Sequence, residues 1–282
     1  MLLGIMRVIY MAVLTFCLVV PSSAQSRDFS ANGEFFSGVY SNAKAMAMAY
    51  GSYDSKSGSS VWTPKQGPIY EEHWPDQIRV RPLKDFTYAA DGVARHLLVT
   101  WAKPDESSLE EYSCHACGVL LGVIAFKEVE GGWKVEVSNL QLDISGASGQ
   151  PSVAKLLKVG RDAFGFAIQT DDMHQGEVEQ GLSIYGPTDG VFAKWFSAQI
   201  VDLDPNHEYD ETCRSVSDAE RSGTCVWYRS TYSLVPRRGA EVYDLVLRKR
   251  VVRSFSKKTT VGISTQRFRF DGKKYVALKR ID

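Results

Sequence analysis

Residues 112–133 contain the stretch that decides the fold: Tyr112–Gly118 reads YSCHACG, Val119–Phe126 reads VLLGVIAF, and Glu130–Trp133 reads EGGW. Val119–Phe126 is uncharged, rich in β-branched residues and no longer than a buried strand. Two glycines then mark a turn, and Trp133–Val137 alternates apolar and polar residues as a second strand would. This stretch therefore predicts a buried β-hairpin that directly follows a Cys-x-x-Cys pair.

Similar strand patterns continue from residue 96 to the C-terminus. They are short runs rich in β-branched and aromatic residues, separated by Gly, Asp or Asn: His96–Trp101, Phe164–Thr170, Leu182–Tyr185, Val191–Ile200, Cys225–Val235 and Glu241–Val252. Long amphipathic helices do not alternate with these runs, which disfavours a parallel α/β fold. We expect an all-β, antiparallel fold, either propeller-like or a large β-sandwich.

The clearest single hairpin pattern lies near the C-terminus. Phe268 and Phe270 alternate with arginines, Asp271-Gly272 follows, and the alternation resumes at Tyr275. Asp-Gly between two alternating runs is typical of a two-residue hairpin turn. We therefore predict a hairpin with one buried face and a two-residue turn at this point.

The region before residue 93 has a different texture. Ser41–Ala49 is rich in helix formers and is followed by Gly51, which predicts a short helix. Ile69–Asp91 contains two prolines among aromatic residues, which favours irregular or edge structure over a central strand. The chain is thus predicted to consist of an irregular or helical N-terminal region over residues 25–92 and an antiparallel β domain over residues 93–282.

The first 24 residues are expected to be a signal peptide. Arg7 ends a short positive segment, and the uncharged apolar run Val8–Val20 follows it. As a helix this run is too short to span a hydrocarbon core of about 30 Å. Small residues before Ala24 suit cleavage after that position. We expect a periplasmic or secreted chain with no membrane span after cleavage.

Charge is balanced in total but uneven along the chain. Lys and Arg number 33, equal to Asp and Glu, so the composition gives no reason to expect nucleic acid as a partner. Arg229–Asp282 nevertheless holds fifteen basic and four acidic residues, whereas Asp171–Glu220 holds twelve acidic and two basic ones. Two interpretations stay open: a surface that faces a polyanion, or two faces that attract each other within the folded chain.

Four cysteines remain after the predicted cleavage: Cys114, Cys117, Cys213 and Cys225. An even number in an exported chain favours disulfides, and the local pairs Cys114–Cys117 and Cys213–Cys225 are the simplest pairing. The longer bridge would contribute about 2–4 kcal/mol by restricting the unfolded chain. Alternatively, Cys114 and Cys117 form a redox-active pair, or they bind a metal with further ligands from elsewhere.

The segment beginning at Asp202 suggests a calcium site. Asp202, Asp204 and Asn206 stand at alternate positions, and Asp210 follows, which is the ligand spacing of a Ca²⁺ loop. The segment resembles the loops of calcium-binding repeats, including the FG-GAP repeats of integrin-like propellers. It departs from them at His207, where those loops have the glycine of the sharp turn. The alternative is a solvated acidic loop.

A third candidate site is Asp171–His174, which places two carboxylates beside a histidine. We expect it in a loop after a strand, where His174 could act as a general base or as a metal ligand. This would make the protein a hydrolase of unknown class, although no nucleophile motif accompanies the segment. The alternative is a polar turn. His73, His96 and His207 have no useful spacing to one another or to acidic residues.

The Cys-His-Ala-Cys motif with Trp133 resembles exported bacterial β-rich proteins of unassigned function, over about residues 96–200. This resemblance implies an exported β-rich domain and no catalytic residues. From the sequence we therefore predict a non-enzymatic binding protein for a protein or glycan ligand, stabilised by two local disulfides. The alternatives are a thiol–disulfide redox protein that uses Cys114 and Cys117, and the hydrolase.

Overall fold

The computed structural model describes residues 33–65, 77–104, 118–147, 149–174, 177–203, 224–255 and 258–279. These residues form two antiparallel β-sheets and one α-helix. The predicted all-β fold class with a small helical N-terminal region is therefore confirmed. Within the described ranges, no helix is long and apolar enough to cross a membrane.

The first sheet has seven strands: β1 (Phe35–Ser37), β2 (Tyr53–Asp54), β3 (Ser59–Trp62), β4 (Ile78–Ala90), β5 (Val93–Pro104), β6 (Val119–Val129) and β7 (Gly132–Ser145). Their spatial order is β1-β7-β6-β5-β4-β3-β2. Strands β2 to β7 therefore form a simple meander, and β1 joins its far edge beside β7. The hairpin predicted from residues 119–137 is β6 and β7, and it buries apolar side chains on both faces of the sheet.

The second sheet has eight strands: β8 (Val153–Lys158), β9 (Phe164–His174), β10 (Glu177–Thr188), β11 (Val191–Leu203), β12 (Thr224–Val235), β13 (Asp244–Phe255), β14 (Lys258–Phe270) and β15 (Tyr275–Ala277). It is a meander in chain order from β8 to β15. The sheet curls into a half-barrel, because the backbone after β8 also bonds to the backbone before β13. Tyr243 N donates to Val159 O at 2.9 Å, and Arg161 N donates to Glu241 O at 3.1 Å.

Two Asp-Gly turns set the pairing of their hairpins. Asp91 and Gly92 have φ values of 52° and 73°, and Asp189 and Gly190 have φ values of 50° and 79°. Positive φ at both central residues gives the turn whose twist matches the flanking strands, and Asp and Gly tolerate it best. Each hairpin therefore closes with two turn residues, as the pairs between β4 and β5 and between β10 and β11 show.

The helix α1 (Asn42–Tyr50) follows β1 and leads to β2 at the opposite edge of the first sheet. Ser41 caps its N-terminus by accepting a hydrogen bond from Lys44 N, and Gly51 with φ 88° ends it. Ala45, Met46 and Tyr50 are buried against the sheet. The predicted helix over residues 41–49 is confirmed.

The core consists of three layers of apolar side chains. The first lies between α1 and the first sheet and contains Met46, Leu98, Ile124 and Phe126. The second lies between the two sheets and contains Leu97, Leu121, Val123, Phe166 and Phe192. The third fills the concave side of the second sheet and contains Ile184, Trp195, Leu245 and Tyr275. Adjacent residues such as Leu97 and Leu98 enter different layers because strand side chains alternate between faces.

The second proline-containing part of residues 69–91 is a strand, although irregular or edge structure was expected there. Ile78–Ala90 is the long strand β4, not irregular structure, and it pairs along its length with β5. Pro82 is tolerated because the register shifts between Pro82 and Lys84, and because β3 pairs only with residues 78–80.

The C-terminal hairpin is confirmed, but its predicted two-residue turn is wrong. Phe270 pairs with Tyr275, so four residues form the connection. The Asp271 carboxylate accepts hydrogen bonds from Lys273 N and Lys274 N at 2.8 and 2.9 Å, and Asp271 N donates to Lys274 O. The aspartate side chain therefore stabilises a longer turn than the Asp-Gly dipeptide alone suggests.

Candidate functional site

The cysteines do not define the site in this structure. Cys114, Cys117 and Cys213 lie outside the described residues. Cys225 lies in β12, where its backbone pairs with Ser254 of β13. The two predicted disulfides and the predicted redox pair therefore stay predictions.

Most of the predicted calcium loop also lies outside the described residues. Asp202 lies in β11, where it pairs with Tyr228 of β12, and Asp204, Asn206 and Asp210 lie outside the described residues. Bound calcium therefore stays a prediction. In the part of the chain that the structure describes, no three His, Cys, Asp or Glu residues are close enough together to hold a metal ion.

The segment Asp171–His174 is placed differently from our expectation. It forms the last residues of β9 instead of a loop, and His174 pairs with Glu177 at the start of β10. Asp171 pairs with Gln180 further along the same hairpin. The expected loop around His174 is therefore wrong, and its catalytic role stays a prediction.

The structure instead brings together a histidine and an aspartate that the sequence analysis did not connect. His96 in β5 and Asp85 in β4 lie on the face of the first sheet that carries α1. Both Asp85 oxygens are within hydrogen-bond distance of His96 Nδ1, Oδ1 at 3.0 Å and Oδ2 at 3.1 Å. The Asp85 side chain is only 21% exposed and the His96 side chain only 15%.

The Asp91-Gly92 turn creates this contact. With Ala90 opposite Val93, the pairing places Thr87 opposite His96 and Asp85 opposite Leu98. Asp85 is therefore the diagonal neighbour of His96 on the same face, a separation that long side chains can bridge. This signal was present in the sequence, because Asp-Gly between two alternating runs sets the register. It was missed because residues 69–91 were expected to be irregular.

Aromatic rings surround the imidazole. The Tyr40 ring stacks on the His96 ring, with 3.6 Å between centroids and 9° between planes. The Trp133 ring meets both rings edge-on, at 4.9 Å from His96 and 5.3 Å from Tyr40. Tyr40 OH also donates to Asp85 Oδ1 at 3.4 Å. Tyr40 thus covers one face of the histidine and binds the carboxylate that holds it.

The segment before α1 delivers Tyr40 to the sheet. Strand β1 pairs with β7, and Gly38 N donates to Gly131 O at 2.8 Å. Lys44 in the first turn of α1 donates to Ser37 O and Val39 O at 3.0 and 3.2 Å. Gly132 allows the close approach of β1, because a Cβ at that position would lie 2.2 Å from Phe36 O.

Burial keeps the Tyr40 phenol neutral. Removal from water raises the Tyr40 pKa well above 10, and the negative charge of Asp85 and the hydrogen bond to it raise the pKa further. A neutral phenol can donate its proton to Asp85 across the physiological pH range. The hydroxyl therefore supports the negative charge of Asp85, and Asp85 in turn orients His96.

An open pocket of about 570 Å³ lies above these residues. Tyr40, His96, Glu128 and Trp133 line it together with Val39, Val129 and three glycines. Because a carboxylate only accepts hydrogen bonds, Asp85 requires the proton of a neutral His96 to be on Nδ1. Nε2 then presents a lone pair, and no described residue occupies it with a hydrogen bond. We call this site the aromatic pocket.

A second polar cluster lies between the two sheets and stabilises their packing. Tyr185 OH in β10 donates to Asp143 Oδ2 in β7 at 2.5 Å, and Lys194 Nζ in β11 lies 2.7 Å from the same oxygen. Burial and the Asp143 charge raise the Tyr185 pKa. The lysine compensates the carboxylate where the sheets meet, so this cluster needs no ligand to explain it.

No protein-family model matches the chain, and no curated protein or solved structure matches it either. The functional argument therefore depends on the chemistry of the aromatic pocket.

Proposed function

We propose that the chain is an exported, non-enzymatic binding protein and that the aromatic pocket binds a glycan. The observation that carries this proposal is that an oriented His96 and the carboxylate-bearing Glu128 line one pocket together with the aromatic rings of Tyr40 and Trp133. The pocket lining contains no serine, threonine or cysteine among the described residues. Among the described residues, the lining therefore offers no aliphatic hydroxyl or thiol nucleophile, whereas it does offer polar acceptors beside aromatic rings.

The chemistry of this lining fits a sugar. A sugar ring offers hydroxyl donors around its edge and an apolar face of C–H groups. Nε2 of His96 and the Glu128 carboxylate can accept hydroxyl hydrogen bonds, and the rings of Tyr40 and Trp133 can contact the apolar face. Because Asp85 and Tyr40 already hold His96 in one orientation, the ligand would lose little affinity to ordering that side chain.

The predicted export and disulfides agree with this function. The N-terminal pattern from Arg7 to Ala24 indicates secretion or a periplasmic location. Extracytoplasmic binding proteins often depend on disulfides, which would be formed here by Cys114 with Cys117 and by Cys213 with Cys225.

The proposal is tested by titrating the purified chain with cell-wall and neutral oligosaccharides while recording NMR spectra. The resonances of His96 and Trp133 should shift with one dissociation constant. Glu128→Gln should weaken binding about tenfold, since it removes a hydrogen bond to a charged acceptor. Glu130→Gln is the matched control, because Glu130 is an exposed residue of the adjacent turn outside the pocket lining.

Two results would overturn the proposal. The first is glycan binding that Glu128→Gln and His96→Gln leave unchanged, which would place the ligand elsewhere. The second is the absence of any shift at His96 and Trp133 across the oligosaccharide panel.

General acid–base catalysis at His96 is the second candidate function, favoured by the contact of both Asp85 oxygens with Nδ1. A histidine oriented in this way by a carboxylate can take a proton from a water molecule at Nε2. The protein would then be a hydrolase that uses no covalent nucleophile. Turnover of an oligosaccharide that His96→Gln abolishes would replace the binding proposal with this one.

A further inference from the structure

Exposed arginines concentrate on the convex side of the second sheet. The apolar side chains Leu245, Leu247 and Phe268 point into the third core layer. Since side chains alternate along each strand, the neighbouring positions on β12, β13 and β14 point the opposite way. These positions include five exposed arginines, which we call the basic face: Arg229, Arg248, Arg250, Arg267 and Arg269.

Within the described ranges, four of these arginines have no acidic partner. Arg269 lies 4.0 Å from the buried carboxylate of Asp244, which Arg237 also contacts at 3.2 Å. Across the residues that the structure describes, no ion pair or hydrogen bond involves the side chains of the other four. Five of the fifteen basic residues between Arg229 and Asp282 therefore share one surface of the fold.

The pairing of Arg229 with Arg250 opposes folding, because it brings two positive charges together. These two residues are directly opposite each other on β12 and β13. Like charges at directly opposed positions destabilise an antiparallel pair. An anion that contacts both guanidinium groups would remove this repulsion, and guanidinium groups bind phosphate oxygens in a two-pronged geometry. The arrangement is suited to an anionic partner.

Exposed aliphatic side chains share this face. Ile263 is 58% exposed and lies directly opposite Arg250, and Val261 on the same strand is 48% exposed. Val276 on β15 is 43% exposed and lies directly opposite Arg269. A hydrated polyanionic chain gives such residues no apolar environment, whereas the boundary between lipid headgroups and acyl chains does.

We propose that the basic face docks the protein on a membrane surface that contains anionic phospholipids. The arginines contact headgroup phosphates, and Ile263, Val261 and Val276 enter the boundary with the acyl chains. Each arginine near such a surface contributes about fivefold to the binding constant at low salt. The aromatic pocket lies on a different sheet, so this interaction is independent of glycan binding.

The test uses the full chain and sedimentation with vesicles of two compositions. Binding should be measurable with mixed phosphatidylcholine and phosphatidylglycerol, absent with phosphatidylcholine alone, and weaker at high salt. Arg229→Gln with Arg250→Gln should weaken binding about 25-fold from two such contributions. The matched control combines Lys134→Gln and Arg161→Gln, which makes the same change in net charge at exposed positions outside the basic face.

Two further measurements separate a loss of vesicle binding from a loss of folding and from binding to soluble polyanions. Arg229→Gln with Arg250→Gln should unfold at a temperature no lower than the unmodified chain, because the substitution removes repulsion. Ile263→Ser should weaken vesicle binding but leave any binding to soluble polyphosphate unchanged. If the chain binds polyphosphate and not the vesicles, or if the control pair weakens vesicle binding equally, the proposal is wrong.

Discussion

The carboxylate of Asp85 holds the imidazole of His96 with both oxygens, at 3.0 and 3.1 Å from Nδ1. Tyr40 binds the same carboxylate and stacks on the same imidazole. These three side chains come from β4, β5 and the residue before the N-cap of α1. The contact therefore links the pocket directly to the packing of the N-terminal segment.

Asp85→Ala should free the imidazole of His96. Loss of a charged acceptor costs about 1.5–3 kcal/mol of unfolding free energy, and partial exposure puts the expected value at the lower end. The nitrogen chemical shifts of His96 should show a change from a tautomer protonated mainly on Nδ1 to a mixture of both tautomers. Asp162→Ala, at an exposed loop position, should stay within about 0.5 kcal/mol of the unmodified chain. An unchanged tautomer in Asp85→Ala would contradict the assigned role of Asp85.

Two substitutions separate the contributions of Tyr40. Tyr40→Phe keeps the stacked ring and loses only the 3.4 Å hydrogen bond, so it should cost about 0.5–1 kcal/mol in urea unfolding. Tyr40→Leu also removes the aromatic contacts, which adds about 0.5–1.5 kcal/mol. Equal losses in the two variants would show that stacking on His96 contributes no stability.

Stability should fall as the pH rises above 10. Burial raises the pKa of Tyr88 from 10.0 to about 12, with the charge of Glu136 as the second cause. Between these values the unfolded chain releases the phenol proton and the folded chain keeps it, so unfolding becomes more favourable as pH rises. The stabilisation is complete below pH 10 and is lost as pH approaches 12.

Urea unfolding measured at several pH values checks this loss. Burial also raises the pKa values of four other tyrosines, Tyr40, Tyr50, Tyr185 and Tyr275. The decrease of the unfolding free energy with pH should therefore persist in Tyr88→Phe, but its slope between pH 10 and 12 should be shallower. A slope that Tyr88→Phe leaves unchanged would contradict the contribution of Tyr88.

Gly132→Ala should displace β1 from β7. The added Cβ would lie 2.2 Å from Phe36 O and 2.8 Å from Ser37 Cα, and both are backbone atoms that cannot move without breaking the strand pair. We expect a loss of about 1–3 kcal/mol together with weaker ligand binding in the aromatic pocket. Gly262→Ala is the control, because nothing lies within 4 Å of its added Cβ. Amide exchange in residues 33–38 measures whether β1 detaches.

Mass spectrometry of the exported protein decides between the roles predicted for the cysteines. Two local bridges, Cys114–Cys117 and Cys213–Cys225, should survive mild reductant if they are structural. Ready opening of Cys114–Cys117 and alkylation at neutral pH would support the thiol–disulfide alternative instead. A crossed pairing would contradict the predicted local loops.

The pocket shows which parts of the structure could be predicted. Asp91-Gly92 sets the register of β4 and β5 locally, so the proximity of Asp85 and His96 could have been deduced from the sequence. Tyr40 and Trp133 could not have been placed there by the same reasoning. Tyr40 is 45 residues from Asp85, and nothing local to either residue specifies which edge of the sheet β1 joins.

The amino-acid sequence by itself determined most strands from residue 93 onward, the short helix near residues 41–49 and the C-terminal hairpin. These features depend on alternation and on backbone preferences that act over a few residues. Only the tertiary structure decided that α1 covers one face of the first sheet, that Trp195 meets Phe270 at 4.4 Å inside the curled second sheet, and that the exposed arginines of the basic face share its convex side. Such arrangements depend on burying apolar faces that are distant in sequence, and no single stretch of sequence specifies which faces meet.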